Sequence, residues 1–323
     1  MADDTFSDVA TSGSVSGPPS ATDYAGDTLF RAVACVCATL ILGLVGFIFW
    51  ELGGKAWPAI HDYGFGFITG STWDTNKAEF GVLPEIWGTL YSSLLALLLG
   101  GIFGIAIAIF LTQGFIHARL AAVFRTIVEL LAAIPSVVFG LWGIYVLIPL
   151  LRPWADWLHE HLGWVPLFGT DLSGPGLAPA ALVLAIMILP TVAAISADAL
   201  RRIPYKVKEA AFGMGTTRWE AILKVMLPTA SSGILAALVL GFGRALGETM
   251  ALAMLIGNSN QISLSLFSPA NTLASLLAST FPEAGPAEVA ALMYAAVALL
   301  AITLIVNVIG TVIMAFSGKQ QVM

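Results

Sequence analysis

The sequence predicts an all-α polytopic membrane protein with six transmembrane helices, and three observations predict it. Of 323 residues, 58% are hydrophobic and only 11% are charged, and the mean hydropathy is +0.89. A water-soluble chain must cover its surface with polar side chains, which 14 Lys and Arg with 20 Asp and Glu cannot do at this length. Six segments are each apolar over about 20 residues, the length a helix needs to cross roughly 30 Å of hydrocarbon. Lys and Arg, finally, are unevenly shared between the loops on the two sides. The net charge of -6 excludes a nucleic-acid binder, which needs a basic face to displace counterions.

Residues 1–28 are rich in Ser, Thr, Gly, Pro, Ala and Asp, contain no Lys or Arg, and read as a disordered cytoplasmic tail. The transmembrane domain follows over 29–318. Its first span is Leu29 to Leu52, the second Leu90 to Thr112, and the third Leu130 to Leu151, without a charge. The fourth is Ala178 to Leu200, the fifth Pro228 to Leu255 and the sixth Val289 to Phe316. Pro135 and Pro190 fall inside spans three and four, where each removes a backbone hydrogen bond and is expected to bend its helix. Cys35 and Cys37 point to opposite faces of the first span and have no other cysteine to pair with, so neither a disulfide nor a metal site is expected.

With the N-terminus inside, the cytoplasmic side collects Arg31, Arg119, Arg125, Arg201, Arg202, Lys206, Lys208, Arg218, Lys224 and Lys319. The outer loops hold only Lys55, Lys77 and Arg152. This asymmetry places both termini in the cytoplasm, together with one long loop from 201 to 228. In that loop, Thr217 and Glu220 have the spacing of a capping box, and Gly215 before them suits the left-handed residue that ends a helix. Helix, glycine turn, helix is the expected shape, and Phe212, Met214 and Trp219 supply apolar anchors for a partner. Pro228 fits the first turn of span five, where its missing donor costs nothing.

Glu209-Ala210-Ala211, then Gly215, then a hydrophobic series closing in Leu227-Pro228, resembles the EAA loop of permease subunits of type I ABC importers. The resemblance implies the type I importer permease fold, and a loop whose Glu209, Ala210, Ala211 and Gly215 dock on an ATPase and transmit its closure. The chain has no phosphate-binding G-x-x-x-x-G-K-[ST] loop of its own. No cofactor is therefore expected on this chain, and ATP and Mg belong to a partner ATPase.

The fourteenth basic residue, Arg244, lies within span five, four residues before Glu248. That spacing puts both on one helix face, one turn apart. Each charge near the bilayer centre costs about 2.5 to 3.5 kcal/mol on insertion scales, so such residues turn to a bundle interior or a watery cavity. The structural alternative is an ion pair that only locks helices together. The functional reading is that Arg244 offers a guanidinium to a passing anion while Glu248 holds and orients it, since the planar fork of arginine suits a tetrahedral oxyanion. The surrounding Gly241-Phe242-Gly243 and Gly247 lack the spacing of a dinucleotide fingerprint, and no strand precedes them.

Arg244-Ala245-Leu246-Gly247-Glu248-Thr249 is similar to the permeases of phosphate importers. So are Trp73, Phe80-Gly81, Gly88-Thr89-Leu90, Ile134-Pro135-Ser136-Val137 and Gly140-Leu141. Asp198 departs from the pattern, standing where the family has a longer carboxylate. The resemblance implies a bacterial plasma (inner) membrane protein that pairs with a second, PstA-like permease on an ATPase dimer. It also implies that inorganic phosphate arrives from an extracytoplasmic phosphate-binding protein. It assigns no catalytic residue to this chain. Sulfate or molybdate permeases are the nearest alternatives, and a stand-alone channel or secondary transporter would leave the docking loop unexplained. Arg125 with Glu129, and Asp198 with Arg201, read as surface pairs at the membrane edge. The histidines, His61, His117, His159 and His161, all lie in loops, which leaves an intramembrane hydrolase without a base in the bilayer.

Overall fold

The structure, a computed structural model, describes residues 21–319. Two compact units divide between Gly54 and Lys55. The described part of the first is the opening stretch of helix α1, Ala21–Tyr63. From Ala32 to Trp50 this helix carries no charge and is apolar on every side, as a helix surrounded by lipid has to be. Residues 1–20, most of the tail expected to be disordered, lie outside the described residues. The remainder of that tail, 21–28, is helical rather than disordered. Extending an existing helix gains one hydrogen bond per residue fixed and avoids the cost of nucleation.

In the second unit the last turns of α1 and a single helical turn, Gly66–Thr69, lead to a two-stranded antiparallel hairpin, β1 (Trp73–Asp74) and β2 (Glu79–Phe80). The unit continues through α2 (Leu83–Thr112), α3 (Ala118–Leu131), α4 (Ser136–Leu162) and α5 (Leu177–Arg201). Then come α6 (Tyr205–Gly213), α7 (Arg218–Thr229), α8 (Ser231–Leu246) and α9 (Met250–Leu255), followed by α10 (Leu273–Thr280) and α11 (Pro286–Lys319). Helices α1, α2, α4, α5 and α11 are long and apolar enough to cross a membrane, and α7 with α8 makes a sixth candidate bent by 71°. Apart from the short hairpin the fold is therefore all-α, with five such helices and one bent candidate for a sixth span.

Helix α5 forms the centre of this unit, packed against α2, α8, α9 and α4. One core joins Ala96, Val183, Leu184, Ile188, Leu252, Leu255 and their neighbours, all buried. The closest approach, of α2 to α5, is made possible by Gly100 and Gly104. A Cβ on Gly104 would stand 2.9 Å from Val192 Cβ, and one on Gly100 would stand 2.8 Å from the Ala185 carbonyl oxygen. Gly104→Leu is accordingly expected to cut the yield of monodisperse protein in detergent severely. Gly174→Leu, at a position with nothing within 4 Å, should leave it unchanged. Equal yields would show that this contact does not hold the bundle.

Two spans differ from the sequence expectation, with breaks beside Pro135, Pro228 and Gly247. Span three does not run from Leu130 to Leu151. Helix α3 stops at Leu131, Pro135 sits extended at the N-cap of α4, and the span is Ser136–Leu162. The ring of a proline disfavours helical geometry in the residue before it, so Ile134-Pro135 separates two helices rather than bending one. Pro190, by contrast, is accommodated inside an unbroken α5. Span five is likewise not one helix from Pro228 to Leu255. Pro228 lies in the last turn of α7, the bend follows, and a second break separates α8 from α9. The wide π turns at Gly143–Leu147 and Ala221–Met226 each end two residues before a proline, Pro149 and Pro228. Widening the turn relieves the clash of the ring with the carbonyl four residues back.

At the end of the unit predicted to be extracytoplasmic, the hairpin is tied to α11. Trp73 Nε1 donates to Glu288 Oε1 at 3.1 Å, Tyr294 donates to the Gly64 carbonyl at 3.1 Å, and Phe67 stacks on Tyr294 with centroids 4.4 Å apart. The chain from Ile256 to Asn271 closes the same end, with Ala270 N–H on the Ile256 carbonyl and Ala178 N–H on the Leu266 carbonyl. These bonds tie the far end of α9 to the start of α5.

Candidate functional site

Two sites were expected, one inside the bundle and one in the long loop. The depth of the first follows from packing. Gly241 on α8 meets Val192 and Ile188, which flank the midpoint of the 25-residue helix α5. Arg244, three residues further along α8, therefore stands near the middle of the apolar slab. Ala245 beside it is fully buried in the core, and Arg244 itself lies on the exposed side of the helix.

The expected pair of Arg244 with Glu248 is not formed. Helix α8 ends at Leu246 with Gly247 as its C-cap, so Glu248 no longer lies one helical turn above Arg244. Its carboxylate instead accepts the N–H of Ala251, 3.4 Å away, at the first turn of α9. Among the described residues Arg244 makes no hydrogen bond and no ion pair. A guanidinium at this depth without a carboxylate cannot rest against acyl chains at acceptable cost, and it faces water, an anion or another subunit. Placement in the last turn of α8 also sets the cation at the negative end of the helix dipole.

Next to Arg244 on α8, Gly243 faces Asn307 of α11, and a Cβ there would lie 3.4 Å from Asn307 Oδ1. The charge pattern does not single out Asn307. Its signal in the sequence is a lone carboxamide inside the apolar run Val289 to Phe316. Arg125 with Glu129 (2.7 Å) and Arg201 with Asp198 (3.6 Å) form the surface pairs anticipated at the membrane edge, all four side chains being about half exposed. Such pairs contribute little to stability.

The loop has the anticipated shape. Helix α6 ends at Gly213, Gly215 takes φ +82°, and α7 begins with a reciprocal capping box. Thr217 Oγ1 accepts the Glu220 N–H at 3.3 Å, and Glu220 Oε2 accepts the Thr217 N–H at 3.0 Å. These hydrogen bonds, from the Thr217 backbone first and then its hydroxyl, with Lys224 nearby, lower the Glu220 carboxyl to about 2. Glu209, Ala210 and Gly215 are exposed, whereas Ala211 is buried and packs with Ile203, Ala221, Ile222 and Met226 in a core that the loop shares with the bundle through Ala108, Leu200 and Ile234. Of the two alanines, only Ala210 is therefore free to meet another protein; Ala211 lets α6 lie close on α7. Tyr205, Phe212, Met214, Trp219 and Leu223 are all exposed, an unusual density of large apolar groups for one short stretch of surface.

Residues 100–320 match the family described as the binding-protein-dependent transport system inner membrane component. The phosphate transport system permease protein PstC of Mesorhizobium japonicum is 40% identical over 263 residues, covering 80% of each chain. PstC of Pasteurella multocida is 38% identical, covering 87% of this chain and 89% of its own. PstC 2 of Mycobacterium tuberculosis is also 38% identical, over 87% and 90%. Among solved structures, a bacterial ABC transporter involved in the import of the acidic polysaccharide alginate aligns with TM-score 0.62 at 17% identity, over 91% of this chain and 97% of that one. The MetNI methionine transporter in inward-facing conformations aligns with TM-score 0.53 at 19% identity, over 73% and 95%. These structures share the fold.

Proposed function

The chain belongs to the family of binding-protein-dependent transport system inner membrane components, and we propose that within it this permease forms half of the conduit of an ATP-driven phosphate importer. The observation that carries the proposal is Arg244, an exposed guanidinium at mid-depth with no carboxylate upon it among the described residues. It is not an enzyme: nothing is made or broken here, and the chain binds, passes and releases an anion.

The physical sequence runs from the loop to the cation. ATP with Mg is held by the ATPase dimer, on which the exposed face of α6 and α7 docks. Closure of the ATPases pushes on this element. The push reaches the bundle through the core formed by Ala211, Ile222, Met226, Ala230 and Ile234, which joins the loop to the base of α8. Helix α8 carries Arg244 at its far end, and the breaks on either side of it let it move as a separate rod. A phosphate delivered by an extracytoplasmic binding protein meets the fork of Arg244, whose two parallel N–H donors fit two phosphate oxygens. Release needs only that the field at the cation change, because a single fork is a weak enough trap. The second half of the conduit comes from a PstA-like permease facing the exposed side of α8. The basic loops place both termini in the cytoplasm of a multi-pass protein.

The deciding experiment is ATP-dependent uptake of labelled phosphate by the reconstituted complex, with sulfate and molybdate as competitors. Uptake of phosphate that excess sulfate or molybdate does not suppress supports the proposal. Preferential uptake of sulfate or molybdate would reassign the substrate, and anion flux by this chain alone, without ATP, would end the importer reading.

A further inference from the structure

We propose that Asn307 is a second contact for the transported anion, lining the same side of the conduit as Arg244. The inference rests on the proposed function and adds a residue from a different helix. Through the depth of the membrane α11 is apolar except for Thr303, Asn307 and Thr311, spaced four apart and so aligned in one stripe. Both threonine hydroxyls are satisfied within the helix. Thr303 Oγ1 donates to the Leu299 and Leu300 carbonyls, each at 2.9 Å, and Thr311 Oγ1 to the Asn307 carbonyl at 2.8 Å. The Asn307 carboxamide is different: it is exposed, and among the described residues it has no hydrogen-bond partner. A carboxamide has two donors and an acceptor to satisfy, which hydrocarbon cannot do.

Its position follows from the crossing of α8 and α11. Val239 packs into the space left by Gly310, and one turn further on Gly243 meets Asn307. One flank of this seam is an apolar groove lined by Leu238, Phe242, Val306 and Ile313. At about 100° per residue, Phe242 and Arg244 lie on opposite flanks of the Gly243 contact. On α11, Val306 takes the groove flank and Asn307 the other. Arg244 and Asn307 therefore flank one opening, at one depth, from two helices. The pair is chemically complementary for a phosphate anion. The guanidinium can only donate, whereas the carboxamide donates through Nδ2 to a P–O⁻ and accepts through Oδ1 from a P–OH. Being neutral, it orients the anion without deepening the trap.

The test uses the whole complex in proteoliposomes, with labelled inorganic phosphate. Asn307→Leu is expected to slow uptake about tenfold or more, the loss that removing one hydrogen bond to a charged group produces. Asn307→Asp should slow it further by repelling the anion, and Asn307→Ser should retain most of the rate. Separately, Asn307→Cys, in a chain with Cys35 and Cys37 replaced by Ala, should react with a charged, membrane-impermeant thiosulfonate, and saturating phosphate should slow the reaction. Ile305→Cys is the control, exposed on the opposite face of α11, two residues from Asn307. Wild-type uptake by Asn307→Leu, or an Asn307→Cys that does not react, overturns the proposal. If that happens while Arg244→Ala is inactive, only the role of Asn307 falls. If Arg244→Ala also transports normally, the anion path itself has been misplaced.

Discussion

Arg244→Ala is expected to abolish phosphate uptake by the reconstituted complex while the complex still assembles. The substitution removes a side chain from the exposed side of α8, so the core around Ala245 and Leu246 has no reason to change. What is lost is a charge-assisted, bidentate contact, and the expected fall in uptake is at least about a hundredfold. Arg244→Lys keeps the charge but not the fork and should fall between, at about tenfold. The absence of an Arg244–Glu248 pair gives a sharper test. If the two residues were a structural ion pair, exchanging them in an Arg244→Glu, Glu248→Arg double variant would restore function. Because Glu248 instead caps α9 through the Ala251 N–H, the exchange should leave the complex as inactive as Arg244→Ala. Normal uptake by Arg244→Ala would assign the cation to packing.

Gly215→Val is expected to uncouple ATP hydrolysis from transport. Gly215 has φ +82°, and its N–H bonds back to the Phe212 carbonyl at 2.9 Å to close α6. Only glycine adopts this conformation freely, and a β-branched residue there is strained by about 1–3 kcal/mol. The chain relieves the strain by opening the turn, which tilts α6 away from α7 and disperses the exposed Phe212, Met214 and Trp219. ATPase activity of the assembled complex should persist, and phosphate moved per ATP hydrolysed should fall steeply. Gly215→Asn, which tolerates positive φ, should remain largely coupled. Nothing lies within 4 Å of a Cβ built at Gly215, so the effect is one of backbone conformation and not of crowding. An unchanged ratio in Gly215→Val would remove this loop from the coupling pathway.

The residues that carried the sequence resemblance divide into two kinds in the structure. Arg244 is exposed on α8 and has no hydrogen-bond or ion-pair partner among the described residues. Trp73, Phe80, Gly88 and Gly140 are packing residues. Trp73 and Phe80 meet edge-on at 4.9 Å, Gly88 lies against the Asn271 carbonyl, and Gly140 leaves room for Met254. Shared sequence here reports how the helices are held together as much as what passes between them.

By itself, the sequence determined the solvent, the number of crossings and the shape of the docking loop. Each of these depends on neighbours in the chain: twenty apolar residues in a row, a threonine three before a glutamate, a glycine between two short helices. Tertiary structure alone decided where the spans begin and break, which of Ala210 and Ala211 faces outward, whether Arg244 has a partner, and that Asn307 comes beside it. A long apolar run carries no local mark of its bend, because in lipid the cost of a broken turn is set by whether other helices can satisfy the freed backbone groups. The pairing of Arg244 with Glu248 was expected from helical spacing, and that spacing holds only while the helix continues. It stops at Gly247, and with it the pair, leaving the cation open to an anion.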